Sequence, residues 1–333
     1  MVVTRKNDAL VLIKLSMLNM GWLEMIPAEW REIYGALFDE ATDRTGCPPD
    51  DKLEEEYAED HTTIREGNAV SQEPLTLYQK LHASEEKKKI AKDVHRTFSV
   101  FAKHSCSKYT LGQVYSAHEE QFRKSLMDVL LAASYERGYC QGLNFIAGNF
   151  LLNLSTAECV DEETGEVLDA NSSEFWRQCG RRSFICLCFL LRHSWMYTLF
   201  DPHCSSLLEY MKLFEKKLRR HNPSVYKHWK TIRFDPLCVT VEWFTTCFIT
   251  VSPGDLANCV LDLLLAGCED ALLKVALALV DELQDNSLGM DLEAMQIDFK
   301  NLARKTDVTK VMAIALTLPS DICYPDCIML LTM

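Results

Sequence analysis

Residues 111–133 read LGQVYSAHEEQFRKSLMDVLLAA, and this stretch decides the fold class. One set of its side chains recurs at the roughly 3.6-residue spacing of an α-helix, which would place them on a single face. The set is Leu111, Val114, Tyr115, His118, Phe122, Leu126, Val129, Leu130 and Ala133. Gly138 follows as a helix stop. The pattern predicts an amphipathic helix that buries this face in a core.

Other segments on both sides of this stretch begin or end with residues that favour helix termini. They are Pro27 to Phe38, Ser173 to Leu191, and Ser252-Pro253 to Gly267. No segment of the sequence shows the apolar and polar alternation, bounded by turns, that is typical of a strand. The sequence therefore predicts an all-α fold with no substantial sheet.

The net charge of −13 is concentrated in two acidic stretches. Residues 50–60 contain seven acids and one lysine, and residues 155–173 contain six acids and no base. Neither stretch has apolar periodicity, so we expect both to be solvated loops. A nucleic-acid-binding domain would instead present a basic face, so no nucleic-acid partner is expected.

The length of 333 residues suits about two helical units. We expect the second acidic loop to divide one domain, residues 26–304, into two lobes. The expected parts are an N-terminal helical extension 1–25, an N-terminal lobe 26–154, an acidic loop 155–173, a C-terminal lobe 174–304 and a C-terminal helical tail 305–333.

The fourteen cysteines do not follow the spacing of a metal or disulfide framework, because the sequence contains no C-x-x-C. Most of them lie among Leu, Val and Phe, which favours buried free thiols in a reducing compartment. The longest uncharged apolar run, Phe184 to Leu191, is shorter than the roughly 18 to 20 residues of a membrane span. We therefore expect a cytoplasmic protein without a metal site.

The segment Ile90-Ala-Lys-Asp93-Val-His-Arg96 is the first candidate functional motif. In a helix, Ile90 lies next to Asp93, and Asp93 lies next to Arg96, because each pair is three residues apart. Ile90 can then anchor in the core while the Asp93 carboxylate holds the Arg96 guanidinium in one orientation. An ordinary surface ion pair, of about 0 to 1 kcal/mol, would show the same spacing, so this motif alone assigns no function.

The second candidate motif is Tyr139-Cys-Gln141-Gly142-Leu143, in which Gln141 follows Arg96 by 45 residues. The apolar segment 143–152 predicts a buried helix, which places Gln141 near a helix N-terminus. Free N–H groups and the positive dipole end there favour a phosphate, and Gly142 lets another backbone approach closely. In the alternative interpretation, Gln141 only caps its own helix.

Together these motifs resemble those of the TBC-domain family of Rab GTPase-activating proteins. The family signature I-x-x-D-x-x-R is met by Ile90, Asp93 and Arg96, and Y-x-Q-G-M is met by Tyr139 to Leu143. The entry segment G-I-P-x-x-L-R appears at 26–31, and a later aromatic signature appears as Trp243-Phe244. The similarity extends from about Ile26 to about Leu302.

The chain departs from the family pattern at several packing positions. Leu143 stands for Met, Met25 for Gly, Trp30 for Leu and Gly35 for Trp, and Val260-Leu261-Asp262 stands for I-W-D. We expect these changes to affect helix geometry and partner choice more than the two motifs.

The resemblance implies a two-lobed TBC fold that accelerates GTP hydrolysis by a GTP-bound Rab in trans, in vesicle trafficking. Arg96 would stabilise transition-state charge as an arginine finger, and Gln141 would orient the attacking water as a glutamine finger. Asp93 would position Arg96, while Tyr139 and Gly142 would shape the loop that carries Gln141. GTP and Mg²⁺ would belong to the partner, so the chain is expected to have no cofactor and no autonomous active site; it has no G-x-x-x-x-G-K-[ST] phosphate loop.

Two other functions remain open from the sequence. A Rab-binding scaffold could keep the fold without catalysis, since fold alone does not establish function. A cysteine hydrolase could use Cys140 as its nucleophile with His95, His104 or His118 as the base.

A basic stretch lies before Asn222-Pro223: Lys212, Lys216, Lys217, Arg219 and Arg220. Cations at the end of a helix complement its dipole, which is sufficient to explain this stretch. The sharper interpretation is peripheral contact with acidic lipid headgroups on endomembranes, or with an acidic partner.

Overall fold

The computed structural model describes residues 22–45, 76–82, 84–101, 118–135, 138–156, 159, 167–192, 195–200, 205–252 and 254–319. Four sequence predictions lie wholly or partly outside these residues. They concern 1–21 of the N-terminal extension, the acidic stretch 50–60, residues 111–117 of the first predicted helix, and 320–333 of the tail. Residues 157, 158 and 160–166 of the acidic stretch 155–173 are outside them as well.

The described residues form α-helices, with two 3₁₀ turns at Trp22–Met25 and Trp195–Phe200. The first helices are α1 (Ala28–Thr42), α2 (Leu77–His82), α3 (Glu85–Phe101), α4 (Glu119–Ser134), α5 (Leu143–Leu154) and α6 (Ser173–Arg192). They are followed by α7 (Ser205–His221), α8 (Pro223–Thr231), α9 (Leu237–Thr245), α10 (Gly254–Leu265) and α11 (Ala271–Glu282). The last are α12 (Gln284–Leu288), α13 (Leu292–Ile297), α14 (Phe299–Ala303) and α15 (Val308–Thr317). No β-strand occurs within the described ranges, and the predicted all-α fold is confirmed.

Helix α4 confirms the C-terminal part of the pattern in residues 111–133. It begins at Glu119, with two glutamates in its first turn that complement the positive end of the helix dipole. Phe122, Leu126 and Val129 lie on its buried face, as the spacing predicts. After the helix, Gly138 adopts φ +76° and donates its N–H to the Ser134 carbonyl at 2.8 Å, so it closes the segment.

Helix α6 is the central helix of the N-terminal half, because α1, α4 and α5 all pack against it. Ser173 is its first helical residue, and the N-cap contact comes from Ser172, whose hydroxyl accepts the Phe175 N–H at 3.1 Å. The predicted cap at Ser173 is therefore wrong by one residue. Either serine could supply the capping hydroxyl. Ser172 supplies it here because its Oγ also donates to the Asp169 carbonyl, which fixes the turn just before the helix.

Gly35 on α1 shows how the chain accommodates one departure from the family pattern. The guanidinium of Arg181 on α6 lies directly over Gly35, where a Cβ atom would overlap it. Arg181 Nε donates to Asp39 at 3.1 Å, and Arg177 donates to the same carboxylate at 2.9 Å. A large side chain at position 35 would displace this bridge between α1 and α6.

The C-terminal half contains an aromatic cluster around α9. Trp243 on this helix stacks on Phe299 at 6.2 Å between ring centroids, and Trp229 meets Phe299 edge-on at 5.8 Å. The Trp229 indole N–H donates to Ser287 at 2.8 Å, so the buried ring leaves no unsatisfied donor. The aromatic signature Trp243-Phe244 is therefore part of the core.

The two halves are connected at their interior. The indole of Trp22, in the first 3₁₀ turn, donates to Asp262 on α10, and its ring packs edge-on against Phe150 of α5. Asn258 of α10 exchanges side-chain hydrogen bonds with Asn149 and Asn153 of α5 at 2.8 and 3.0 Å. The lobe boundaries stay a prediction, and α6, which begins the expected C-terminal lobe, packs mainly against N-terminal helices.

Cysteines within the described residues are free thiols, and five of them are buried: Cys159, Cys179, Cys186, Cys188 and Cys247. Burial raises the pKa of Cys186 and Cys247, which keeps these thiols protonated and unreactive. None of the helices described combines the length and the apolarity that crossing a membrane requires.

Candidate functional site

Helix α3 carries the first motif on two faces. Ile90 is completely buried and anchors the helix, while the Asp93 carboxylate is nearly buried. Arg96 lies one turn further, with its side chain 64% exposed and Nη1 3.4 Å from Asp93 Oδ1. This is a long contact, so Asp93 orients the guanidinium without enclosing it. The Arg96 side chain therefore projects from the surface above a fixed carboxylate.

Tyr139 ties the second motif to this carboxylate. Its hydroxyl donates to Asp93 Oδ2 at 2.8 Å, and its backbone N–H donates to Glu86 Oε2 at 3.0 Å. Burial raises the pKa of Tyr139, and the hydrogen bond to Asp93 raises it further, so the phenol stays protonated and remains a donor. Burial opposes ionisation of Glu86, but hydrogen bonds from Lys89 and the Tyr139 N–H lower its pKa overall. Two points on α3 thus hold the loop of residues 138–142.

Asn144 also belongs to the site, although neither sequence motif includes it as a functional residue. Its side-chain oxygen accepts the Gly142 N–H at 3.0 Å, and its Nδ2 donates to the Thr97 hydroxyl at 2.6 Å. Thr97 in turn donates to the Asp93 carbonyl at 2.7 Å. The available sequence signal is an amide in the first turn of a mostly apolar segment, since an amide buried with such a segment must be hydrogen-bonded.

Gly142 lies where α5 approaches the end of α9. It adopts φ +111°, and a Cβ atom there would overlap the Thr245 carbonyl oxygen and lie 3.3 Å from Thr245 Cβ. The close backbone approach expected of this glycine is therefore present. Glycine is required here for two reasons, the backbone conformation and the absence of space.

Gln141 does not cap helix α5. Gly142 occupies the N-cap position without a side-chain cap, and the Gln141 side chain is exposed. The free N–H groups expected at this terminus are partly occupied, since Gly142 donates to Asn144 and Leu143 donates to the Cys140 carbonyl at 3.3 Å. A phosphate site on these two donors is not supported, and the exposed amide of Gln141 is the group that the loop presents.

The arrangement brings Arg96, Asp93, Tyr139, Gln141 and Gly142 together on one hydrogen-bonded frame. The exposed groups at its surface are a guanidinium and a primary amide, which can bind an anion and orient a water molecule. Across the ranges that the structure covers, no group of three or more His, Cys, Asp or Glu side chains is placed to hold a metal ion.

We expect Gly142→Ala to lower the free energy of unfolding more than Gly267→Ala does. Gly267 also has a positive φ of +82°, but nothing lies within 4 Å of the position its Cβ would take. The control should lose only the conformational term, about 1 to 2 kcal/mol. Gly142→Ala adds the overlap with Thr245, so we expect at least about 3 kcal/mol in all. Urea denaturation of both variants measures the difference, and equal losses would contradict the close contact.

The family model described as the Rab-GTPase-TBC domain matches residues 51–288, well over half of the chain. Among curated proteins, the Rab GTPase-activating protein eat-17 of Caenorhabditis elegans is 26% identical over 189 residues, covering 56% of this chain and 19% of that protein. The human Ecotropic viral integration site 5 protein homolog is 25% identical over 167 residues, covering 50% of this chain and 18% of that protein. The chain thus spans about a fifth of the length of these relatives.

Among solved structures, the TBC domain of a Chlamydomonas flagellar RabGAP superposes with a TM-score of 0.52 and 17% sequence identity, over 93% of each chain. This similarity supports the fold. The all-helical architecture described above is the one these two chains share.

Proposed function

Because this chain belongs to the Rab-GTPase-TBC domain family, we propose that it is a GTPase-activating protein for a Rab-type small GTPase. Residues 26–304 would carry this activity and act on a GTP-bound Rab in trans. The protein would thereby regulate vesicle trafficking from the cytoplasm, with peripheral contact to endomembranes. GTP and Mg²⁺ would be carried by the Rab.

The observation that carries the proposal is the exposed pair of groups on the frame of Asp93, Tyr139 and Asn144. Phosphoryl transfer needs positioning and charge stabilisation more than covalent chemistry, and an arginine supplied in trans contributes about 10³ to 10⁵ in rate. Arg96 is exposed enough to enter a nucleotide site on another protein, and Asp93 restricts the orientations it samples. The cost of ordering the side chain on binding is thereby reduced.

Gln141 supplies the second group. A primary amide can accept a hydrogen bond from the attacking water and donate one to a phosphate oxygen. The loop that carries it is bonded to α3 through Tyr139 and packed on α9 through Gly142, so its backbone is held from two sides. We infer that Gln141 orients the water in place of a glutamine of the Rab.

Single-turnover GTP hydrolysis by a panel of GTP-loaded Rabs, with and without this protein, tests the proposal. We expect at least one Rab to hydrolyse GTP about 10³-fold faster or more. Binding of a GTP-bound Rab without acceleration would identify a non-catalytic scaffold instead. Failure to accelerate any member of a complete panel would contradict the proposed activity.

Cys140→Ala distinguishes the proposal from a cysteine hydrolase. The thiol lies 3.7 Å from the Gln141 carbonyl oxygen, and the partly buried side chain packs against the hydrophobic core. We expect the variant to lose less than about threefold of its Rab stimulation, since a modest packing change should leave the frame intact. Replacing a catalytic nucleophile lowers the activity that depends on it by about 10³-fold or more. A loss of that size in the GTPase assay would favour the hydrolase.

A further inference from the structure

Helix α3 holds Tyr139 at both ends through two carboxylates. Glu86 Oε2 accepts the Tyr139 backbone N–H at 3.0 Å, and Asp93 Oδ2 accepts the Tyr139 hydroxyl at 2.8 Å. Because Glu86 and Asp93 are seven residues apart, they lie on nearly the same side of the helix, with a rise of roughly 10 Å between them. The tyrosine therefore lies along α3, with its backbone at one carboxylate and its hydroxyl at the other.

The two carboxylates also share a second kind of contact, with a cation three residues later on α3. The other oxygen of Glu86, Oε1, accepts from Lys89 Nζ at 2.8 Å, and Asp93 Oδ1 lies 3.4 Å from Arg96 Nη1. Each carboxylate thus uses one oxygen for a cation of its own helix and the other for Tyr139. The unit at Asp93 presents Arg96, whereas the hydrogen bond that Glu86 makes outside α3, within the described residues, is the one to Tyr139.

The neighbouring pair of Glu85 and Lys88 shows what an ordinary ion pair at this spacing looks like. Its atoms are 3.1 Å apart, and the Glu85 side chain is 80% exposed. The Glu86 side chain is only 25% exposed, and it accepts a hydrogen bond from a backbone 53 residues away. A surface ion pair contributes little to stability, and that interpretation accounts for Glu85 and Lys88 but not for the contact between Glu86 and the loop.

The position of Gln141 depends on the backbone of Tyr139. Gln141 is exposed and lies between Tyr139 and Gly142, whose backbone is packed on α9. The hydroxyl bond to Asp93 fixes only the far end of the Tyr139 side chain, which can rotate about its own single bonds. Glu86 fixes the backbone itself. Since displacing a catalytic group by about 1 Å can lower a rate about 10²-fold, the bond from Glu86 bears directly on what Gln141 can do.

We propose that Glu86 is a positioning residue for Gln141. Its carboxylate holds the loop of residues 138–142 against α3, the helix that carries Arg96, and thereby sets where the amide stands relative to the guanidinium. This inference rests on the proposed function and adds a residue that lies outside both sequence motifs. Glu86 acts through the backbone of Tyr139 without touching the nucleotide, and Lys89 keeps the carboxylate oriented.

The test compares Glu86→Ala, Glu86→Gln and Glu85→Ala. Alanine removes the acceptor for the Tyr139 N–H, whereas glutamine keeps a carbonyl oxygen that can accept it and loses only the charge. Glu85→Ala is the matched control, since it removes a glutamate–lysine pair of the same spacing from the same turn of α3. Single-turnover GTP hydrolysis by the most strongly stimulated Rab of the panel gives kcat and KM. Hydrogen exchange followed by NMR gives the protection of the Tyr139 amide.

We expect Glu86→Ala to lower kcat about tenfold or more, with KM and the melting temperature unchanged. Glu86→Gln and Glu85→Ala should both retain kcat within about threefold of the wild type. In the Gln141→Ala background, Glu86→Ala should cause no further loss, because the amide that it positions is absent. The Tyr139 amide should exchange about tenfold faster in Glu86→Ala and at the wild-type rate in the other two single variants.

Wild-type kcat in a folded Glu86→Ala would overturn the positioning role and leave the proposed function standing. An equal fractional loss in the wild-type and Gln141→Ala backgrounds would overturn it too, since Glu86 would then act on something other than Gln141. A loss in Glu86→Gln as large as that in Glu86→Ala would assign the effect to charge and contradict the role of the hydrogen bond. If the wild-type protein accelerates no Rab, the proposed function fails, and unchanged exchange of the Tyr139 amide in Glu86→Ala would separately contradict the hold of Glu86 on the loop.

Discussion

Arg96→Ala and Arg96→Lys should both abolish stimulation of the Rab, with kcat lowered by about 10³-fold or more. Lysine keeps the positive charge but loses the planar group that donates to two oxygens at once, so it should not rescue activity. The Arg96 side chain is mostly exposed, and its contact with Asp93 is long, so neither change should unfold the protein.

Lys88→Ala is the matched control for this result. Lys88 is an exposed cation two turns earlier on the same helix, 67% exposed and paired with Glu85 at 3.1 Å. We expect it to retain activity within about threefold, since surface ion pairs contribute little. Near wild-type stimulation by either Arg96 variant, with an unchanged melting curve, would show that Arg96 is not the catalytic group.

Gln141→Ala should have the second largest effect. We expect kcat to fall about 10²-fold or more while KM changes little, because the amide is needed chiefly in the transition state. The exposed side chain does not cap helix α5, so its removal should leave the frame intact. Single-turnover hydrolysis over a range of concentrations of this protein separates the two constants.

A rise in KM with unchanged kcat would contradict this role of Gln141. Such a result would make it a binding residue, since uniform binding affects KM without affecting the chemical step. The melting temperature of the variant is the control for folding.

The helical fold could be predicted because it depends on local patterns. The spacing of Phe122, Leu126 and Val129 defines a face within a single helix, and a core of any arrangement would bury it. The ends of helices could be predicted less well from the sequence, because Ser172 and Ser173 are chemically equivalent as caps. The choice between them follows from the turn at Asp169, which is set by the rest of the fold.

The candidate site could be predicted only in part, because some of its contacts join residues that are far apart in the sequence. The contact between Asp93 and Arg96 follows from helical spacing, and Gly142 indicated a close backbone approach before its neighbour was known. The hydrogen bond between Tyr139 and Asp93 joins residues that are 46 positions apart, and no periodicity in the sequence indicates it. Likewise, the sequence gives no signal that Thr245 fills the space beside Gly142, because that contact depends on how α9 packs against α5.

The most direct test of the central claim uses a Rab whose own switch glutamine has been replaced by leucine. If Arg96 and Gln141 both act in trans, this protein supplies the amide that the Rab lacks. Single-turnover GTP hydrolysis by that Rab should then still be accelerated by the wild-type protein and not by Gln141→Ala. Loss of acceleration with the leucine-substituted Rab, together with full acceleration of the normal Rab by Gln141→Ala, would contradict the account.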